Sequence, residues 1–168
     1  MMTAEVKNAA LQSIEQFLYQ QSEFCDRQQW DEYLATFDEN AEFHIPQWDS
    51  EHVHTTDPKR EMSLIYYASR AGLEDRVFRI RTCKSAACTP MPRNLHLVRI
   101  VQGEEQADGT WTVKTNWVTH FYLFGESESF FGRAEYSLRS EGGNWKVLRK
   151  QSVLLNDKIR HVLDFYHV

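Results

Sequence analysis

Cysteine and long apolar runs are scarce in this sequence, and each scarcity argues against a class of protein. The 168 residues contain three cysteines, Cys25, Cys83 and Cys88, without a CxxC pair. We therefore expect three reduced thiols in a cytoplasmic protein rather than a disulfide framework or a zinc or iron–sulfur site. No apolar run approaches the roughly 20 residues of a membrane-spanning helix. The first residues lack the basic region and apolar core of a signal peptide, so we expect none.

Several common functional motifs are also missing. The chain has no GxSxG, no Walker loop and no GxGxxG. The usual sequence motifs of serine hydrolases and of nucleotide-binding proteins are therefore absent. The formal net charge is −5, which argues against a general nucleic-acid surface. The composition, with 42% hydrophobic residues, predicts a packed globular fold, and we expect one domain over residues 1–168.

The spacing of apolar residues predicts helices first and strands afterwards. Thr3 can cap a helix whose apolar residues recur every three or four positions. These residues are Val6, Ala10, Ile14, Phe17, Leu18 and Phe24. A second, short helix is predicted with one apolar face. That face contains Trp30, Tyr33, Leu34 and Phe37.

The middle of the chain alternates between extended and helical patterns. The residues from Ala41 to Ile45 alternate as in a strand that Pro46 ends. MSLIYY (62–67) is interpreted as extended, and Gly72 is predicted to open a helix with Leu73 on its apolar face.

Four long strands are predicted after Leu95, with a hairpin turn at Ala107-Asp108-Gly109. Helices followed by a run of antiparallel strands are typical of an α+β fold.

One of these strands is apolar on both faces. Trp117, Phe121 and Leu123 project to one side, and Val118 and Tyr122 to the other, together with Phe124. Antiparallel sheets commonly leave one face in water. The second apolar face therefore predicts either a cavity or burial against another protein chain.

The stretch FHIPQWDSEHVHTTD (43–57) is the densest group of candidate metal ligands. His52 and His54 are two residues apart, and Asp49, Glu51 or Asp57 could add a carboxylate. Two histidines and a carboxylate suit non-haem iron. The segment is polar, however, and lacks a rigid element to hold ligands. We favour a solvated loop without metal.

His44 is a second candidate because it lies within a predicted strand. If the sheet encloses a cavity, His44 could act as a general base oriented by Asp31 or Glu42. Tyr33 would complete a set of catalytic residues in a stand-alone enzyme. The alternative, which we favour, is a hydrogen-bonded histidine at a partly buried or interfacial position. His96 and His120, in later strands, are interpreted in the same way.

Arginines are concentrated between residues 60 and 93. They are Arg60, Arg70, Arg76, Arg79, Arg81 and Arg93. Arginine pairs with carboxylates and is enriched at interfaces. Glu61, Glu74 and Asp75 lie nearby, so ion pairs are favoured over an anion-binding pocket.

Three long motifs span residues 30–49, 57–82 and 154–168. They are WDEYLATFDENAEFHIPQWD, DPKREMSLIYYASRAGLEDRVFRIRT and LLNDKIRHVLDFYHV. Together they resemble the small, or β, subunits of aromatic-ring-hydroxylating dioxygenases over nearly the whole chain. DPxRExSLIYY followed by RxGLEDRVFRI is the most specific part. The fragment IPQWDSEHVHTTDP resembles the branch that acts on anthranilate more than the branch that acts on benzoate.

The resemblance implies an NTF2-like (cystatin-like) α+β fold, a cone formed by a strongly curved mixed sheet and wrapped by N-terminal helices. It implies a structural subunit that forms a trimer beneath three catalytic α subunits, α3β3, without an active site or metal of its own. The Rieske [2Fe–2S] cluster and the mononuclear Fe(II) would lie on the α subunit, and NADH would supply electrons through a separate reductase. No nucleic acid or membrane partner is expected.

The same resemblance suggests which residues to test as subunit contacts. The candidates for the subunit interface are Trp48, Tyr66, Tyr67, Arg76, Arg79 and Arg93. We expect the reversal of Arg76 or Arg79 to Glu to harm folding or assembly more than chemistry.

Two other functions remain open because fold alone does not determine function. One is a stand-alone dehydratase or isomerase that uses His44, Asp31 and Tyr33. The other is a ligand-binding or dimerisation module. An open, polar cone would favour the enzyme, whereas a cone filled by aromatic side chains would favour the subunit. The residues predicted to fill it are Trp30, Phe37, Phe43, Trp117, Phe121, Phe131 and Trp145.

Overall fold

A computed structural model describes residues 4–82 and 90–168 of the chain. Three α-helices, six strands and one short 3-10 helix follow one another in these ranges. They are α1 (Ala4–Asp26), α2 (Trp30–Ala35), β1 (Phe37–Pro46), β2 (Ser63–Tyr67), α3 (Arg70–Arg81), β3 (Arg93–Glu105), β4 (Trp111–Leu123), β5 (Glu126–Glu141), β6 (Asn144–Leu154) and the 3-10 helix Phe165–His167. The proposed Thr3 cap, Cys83 and Cys88 lie outside the described residues.

The six strands form one mixed sheet in the order β2-β1-β6-β5-β4-β3. β3 to β6 form the predicted meander of antiparallel neighbours. β1 pairs in parallel with β6 and antiparallel with β2, which makes β2 and β3 the two edge strands.

The strand register gives the sheet an inner and an outer face. The inner face carries Phe43, Lys150, Tyr136 and Val113, which lie beside one another on four neighbouring strands. All four are buried, and the helices pack on this side through residues such as Ile14. The outer face carries the alternate residues, including His44.

Two local predictions are wrong at their boundaries. Phe37 does not belong to the apolar face of α2, because the helix ends at Ala35 and Phe37 is the first residue of β1. The third helix begins at Arg70 rather than at Gly72. Gly72 serves packing instead, because a Cβ atom there would overlap the side chain of Tyr67.

The predicted hairpin turn between β3 and β4 is confirmed. Gly109 has a φ of +80°, which glycine adopts without strain. The Asp108 carboxylate accepts hydrogen bonds from the backbone N–H and the hydroxyl of Thr110. In the described ranges, no helix combines the length and apolarity needed to cross a membrane.

Candidate functional site

The inner face of the sheet is filled by the chain's own residues 164–168, which we call the plug. Phe165, Tyr166, His167 and Val168 are all buried. The Phe165 ring lies 5.6 Å from the rings of both Trp30 and Tyr33, measured between centroids. The His167 ring lies 5.0 Å from that of Phe121 and 5.2 Å from that of Phe130. The space where an open cone would hold a substrate is therefore occupied by aromatic side chains.

A buried ion pair anchors the plug to α3. The guanidinium of Arg76 donates to the carboxylate of Asp164, which is 1% exposed. Asp164 also accepts a hydrogen bond from the backbone N–H of Phe165 at 2.8 Å, and its own backbone N–H donates to Nδ1 of His167. These contacts satisfy the first turn of the 3-10 helix and fix its position on the sheet.

A small polar gap remains between α1, α2, the sheet and the plug. Its lining includes Cys25, Tyr33, His96, Trp117 and Lys150. Its volume is about 10 Å³, and one water molecule needs about that space. A substrate of the size of a benzene ring does not fit, although the side chains around the gap include groups that could transfer protons.

Beside this gap His96 pairs with Asp26, and the two residues also line an outer groove of about 560 Å³ between α1 and β3. Nδ1 of His96 lies 2.5 Å from Oδ1 of Asp26, and the second carboxylate oxygen accepts the backbone N–H of His96 at 2.9 Å. Within the described part of the chain, Nε2 of His96 and the hydroxyl of Tyr33 are buried without a hydrogen-bond partner. Asp26 joins the end of α1 to the edge strand β3, so a structural role accounts for this pair.

Lys150 contributes a buried positive charge to the same region. Its Nζ donates to the carbonyl oxygen of Val168 at 2.8 Å and lies 5.4 Å from the ring centroid of Tyr136. Burial lowers the pKa of Lys150 to about 8. The contact ties the last residue of the plug to β6.

The residues predicted for a stand-alone enzyme are not brought together. His44 lies on the outer face, where its Nε2 is 2.9 Å from the Ser63 hydroxyl, and burial lowers its pKa. Tyr33 lies on the opposite, inner side of the sheet. Asp31 is exposed and pairs with Arg81 on α3 at 3.0 Å. This arrangement gives no acid–base set around one cavity.

The two histidines of the HxH segment also point to different surroundings. His52 is almost fully exposed, with only Glu51 near it at 3.9 Å. The His54 ring packs against Trp48 at 5.6 Å, and its Nδ1 lies 2.9 Å from the carbonyl oxygen of Thr55. The segment thus forms a folded loop without shared metal ligands among the residues described.

A different group of possible metal ligands lies at the start of β5. The ligand atoms of Glu126, Glu128 and His161 come within 4.8 Å of one another. Nε2 of His161 lies 3.2 Å from the Glu128 carboxylate. The ion pair accounts for this approach. Sequence spacing could not indicate it, because His161 is remote along the chain.

The predicted interface residues divide into three aromatic residues and three arginines. The aromatic residues all contact other residues of the same chain. The indole N–H of Trp48 donates to the carbonyl oxygen of Leu154, and the Tyr66 hydroxyl donates to the Glu42 carboxylate. The ring of Tyr67 packs on that of Phe43.

The arginines differ among themselves. Arg76 holds the plug, Arg79 forms an exposed pair with Asp75 at 2.9 Å, and Arg93 is exposed at the start of β3 without a carboxylate partner in the described ranges. Their role at an interface stays a prediction.

Comparisons with known proteins agree over most of the chain. A family model described as the ring hydroxylating beta subunit matches residues 20–161. The chain is 48% identical over 156 residues to the anthranilate 1,2-dioxygenase small subunit of Acinetobacter baylyi, covering 93% of this chain and 96% of that protein. It is 39% identical over 166 residues to benzoate 1,2-dioxygenase subunit beta of the same organism, covering 99% and 98%. The crystal structure of a benzoate 1,2-dioxygenase beta subunit from Burkholderia mallei is 37% identical, with a TM-score of 0.76 over 92% of this chain and 95% of that one.

Proposed function

Because the chain belongs to the family of ring-hydroxylating dioxygenase β subunits, we propose that it is the structural subunit of an oxygenase that converts anthranilate to catechol. The substrate assignment rests on the 48% identity to the anthranilate enzyme's small subunit, against 39% for the benzoate enzyme's subunit. Anthranilate, O2 and NADH would yield catechol, CO2 and NH3. A benzoate-type substrate is the alternative.

The filled inner face is the observation that supports a structural role for this chain. The plug places Phe165 and Tyr166 against α2 and leaves a gap of about 10 Å³. A catalytic cone must admit its substrate to polar side chains. The pair of Asp26 and His96 borders an outer groove rather than a cavity inside the cone, and Nε2 of His96 is buried, so a stand-alone dehydratase or isomerase is not favoured.

The described residues, which include one cysteine, do not supply the ligands of a Rieske cluster. Such a cluster needs two cysteines and two histidines as ligands. Cys25 is buried beside Asp26, and burial raises the pKa of its thiol far above the ordinary value, which disfavours the thiolate. Cys83 and Cys88 lie outside the described ranges. We therefore assign the [2Fe–2S] cluster and the mononuclear iron to the catalytic large subunit.

Membership of the family also supports a proposal for the assembly. The chain would form a trimer beneath three large subunits, α3β3, in the cytoplasm. A separate reductase would deliver electrons from NADH to the large subunits. In this arrangement the chain, one domain over residues 1–168, supplies surfaces rather than reacting groups.

The test is to express a tagged copy with its large subunit and reductase and to supply anthranilate or benzoate. We expect the large subunit to co-purify with iron, and the complex to form catechol and ammonia from anthranilate faster than it consumes benzoate. Preferred turnover of benzoate would replace the substrate assignment. A lone chain without an iron-bearing partner would contradict the structural role.

A further inference from the structure

The outer face of β3 to β5 exposes a row of apolar side chains. Leu95, Leu97 and Val101 on the edge strand β3 are each more than half exposed, and Phe131 on β5 is 44% exposed. Leu97 lies opposite Val118, which lies opposite Phe131, so the row crosses three strands. An apolar face of this kind on a sheet is typical of a binding surface for another protein.

The same surface holds cations that lack carboxylate partners. Elsewhere the arginines of the chain are mostly paired, as in Arg27, Arg60, Arg70, Arg76, Arg79, Arg81, Arg139 and Arg149. On the outer face, Arg93, Arg99, Lys114 and Arg133 have none within the described ranges. Lys114 and Arg133 line a groove of about 540 Å³ together with Val101 and one carboxylate, Glu135, which pairs with Arg149. The partner of this surface should therefore be apolar with an acidic rim.

The chain itself offers a surface of that character. A second groove, of about 570 Å³, lies between the loop after β1 and the segment after β6. Its apolar lining includes Trp48, Leu64 and Ile159, and its acidic side chains are Glu51 and Asp157. Glu51 has only the exposed His52 near it, and Asp157 has no cationic partner among the described residues.

We propose that the outer face of β3 to β5 in one copy binds the acidic groove of a second copy. A twofold contact of the outer face with itself would place arginines against arginines, which is unfavourable. A contact between two different surfaces is head-to-tail, and such contacts close into a ring when the rotation permits. The inference deepens the proposed function, because it assigns the contact between β subunits to named residues.

The test uses charge reversal on each surface and then on both. Arg99→Glu with Arg133→Glu reverses the outer face, and Glu51→Lys with Asp157→Lys reverses the groove. Light scattering gives the mass of the full chain alone and of the assembled oxygenase. We expect each pair of substitutions to abolish the multimer of this chain at concentrations where the unchanged chain is assembled. All four substitutions together should restore it, because attraction is restored with opposite sign.

Arg81→Glu is the matched control, because it reverses an exposed arginine on α3 that lines neither groove. Circular dichroism should show that every variant remains folded. Persistence of the multimer in both reversed variants would overturn the inference, and so would loss without restoration by the fourfold change. Loss of only the large subunit would also overturn it, since the outer face would then bind that subunit. None of these results touches the proposed structural role, which fails if the unchanged chain binds no iron-bearing partner.

Discussion

At the scale of single residues, Lys150 shows the free-energy cost of burying a charged group away from water. Its ammonium group is 4% exposed and has a carbonyl and two aromatic rings as neighbours. A carbonyl oxygen replaces only part of the hydration of an ammonium ion, so the charged form is disfavoured. The pKa of about 8 in the folded chain therefore lies below the ordinary value of 10.5.

This depressed pKa predicts a pH dependence of stability with a definite sign. Below pH 8, Lys150 is protonated in both the folded and the unfolded chain, and the cost of burying the charge is complete. Between pH 8 and 10.5 the folded chain releases the proton first, so the cost declines. Relative to Lys150→Met, the unchanged chain should gain up to about 3 kcal/mol in free energy of unfolding across this range. Urea titrations of both chains at pH 7 and pH 10 measure the difference, and a constant difference would refute the shift.

Gly72 gives a second prediction at this scale. It sits inside α3, where alanine normally favours a helix by about 1 kcal/mol. A Cβ atom there would overlap the Tyr67 side chain. We expect Gly72→Ala to lower the free energy of unfolding by about 1–3 kcal/mol in spite of its helix propensity. Thermal unfolding of Gly72→Ala, Tyr67→Ala and the double variant measures the coupling of the two positions. We expect Gly72→Ala to destabilise the Tyr67→Ala chain less than it destabilises the unchanged chain. Additive effects would mean that the overlap is relieved elsewhere.

At the scale of elements, the strands were easier to predict than the plug. Alternating residues and the Asp108-Gly109 turn carry their own local signal, and the meander of β3 to β6 is confirmed. The plug has no periodicity, and its place depends on contacts with α2 and α3 that are remote along the chain. Phe131 was predicted to fill the interior but projects outward, and its neighbour Phe130 is buried instead. Two adjacent phenylalanines leave the strand register ambiguous until the pairing is known.

A comparison of Arg76 with Arg79, two of the arginines of α3, tests how firmly the plug is held. Arg76→Glu removes the partner of a buried carboxylate and places a like charge beside it. Loss of a buried pair costs about 3–5 kcal/mol. Arg79→Glu breaks an exposed pair at i,i+4 with Asp75, which is worth about 0.3–0.5 kcal/mol. We expect chemical unfolding to show a large loss for Arg76→Glu and a small one for Arg79→Glu. Equal losses would mean that Asp164 does not anchor the plug.

At the scale of the whole molecule, the sequence predicted the family and the NTF2-like α+β fold, and both are confirmed. Long motifs such as DPxRExSLIYY carried that prediction. The pair of Asp26 and His96 was not predicted, because the two residues lie on different elements, 70 positions apart. Residue patterns show which face of a strand is apolar, but not which distant side chains meet across the interior.

The arrangement of the outer loop yields a last prediction, about the assembled oxygenase. His52 and His54 lie in different surroundings and share no ligand position. We therefore expect His52→Ala with His54→Ala to leave the iron content and the turnover of the holoenzyme nearly unchanged. Stability should fall slightly, because His54 loses its contact with the Trp48 ring. Iron analysis and product formation on the purified complex provide the measurement, with His52→Ala alone as the control for the exposed position. Iron lost from the double variant but kept in the single one would place a metal ligand at His54 and move part of the catalytic centre onto this chain.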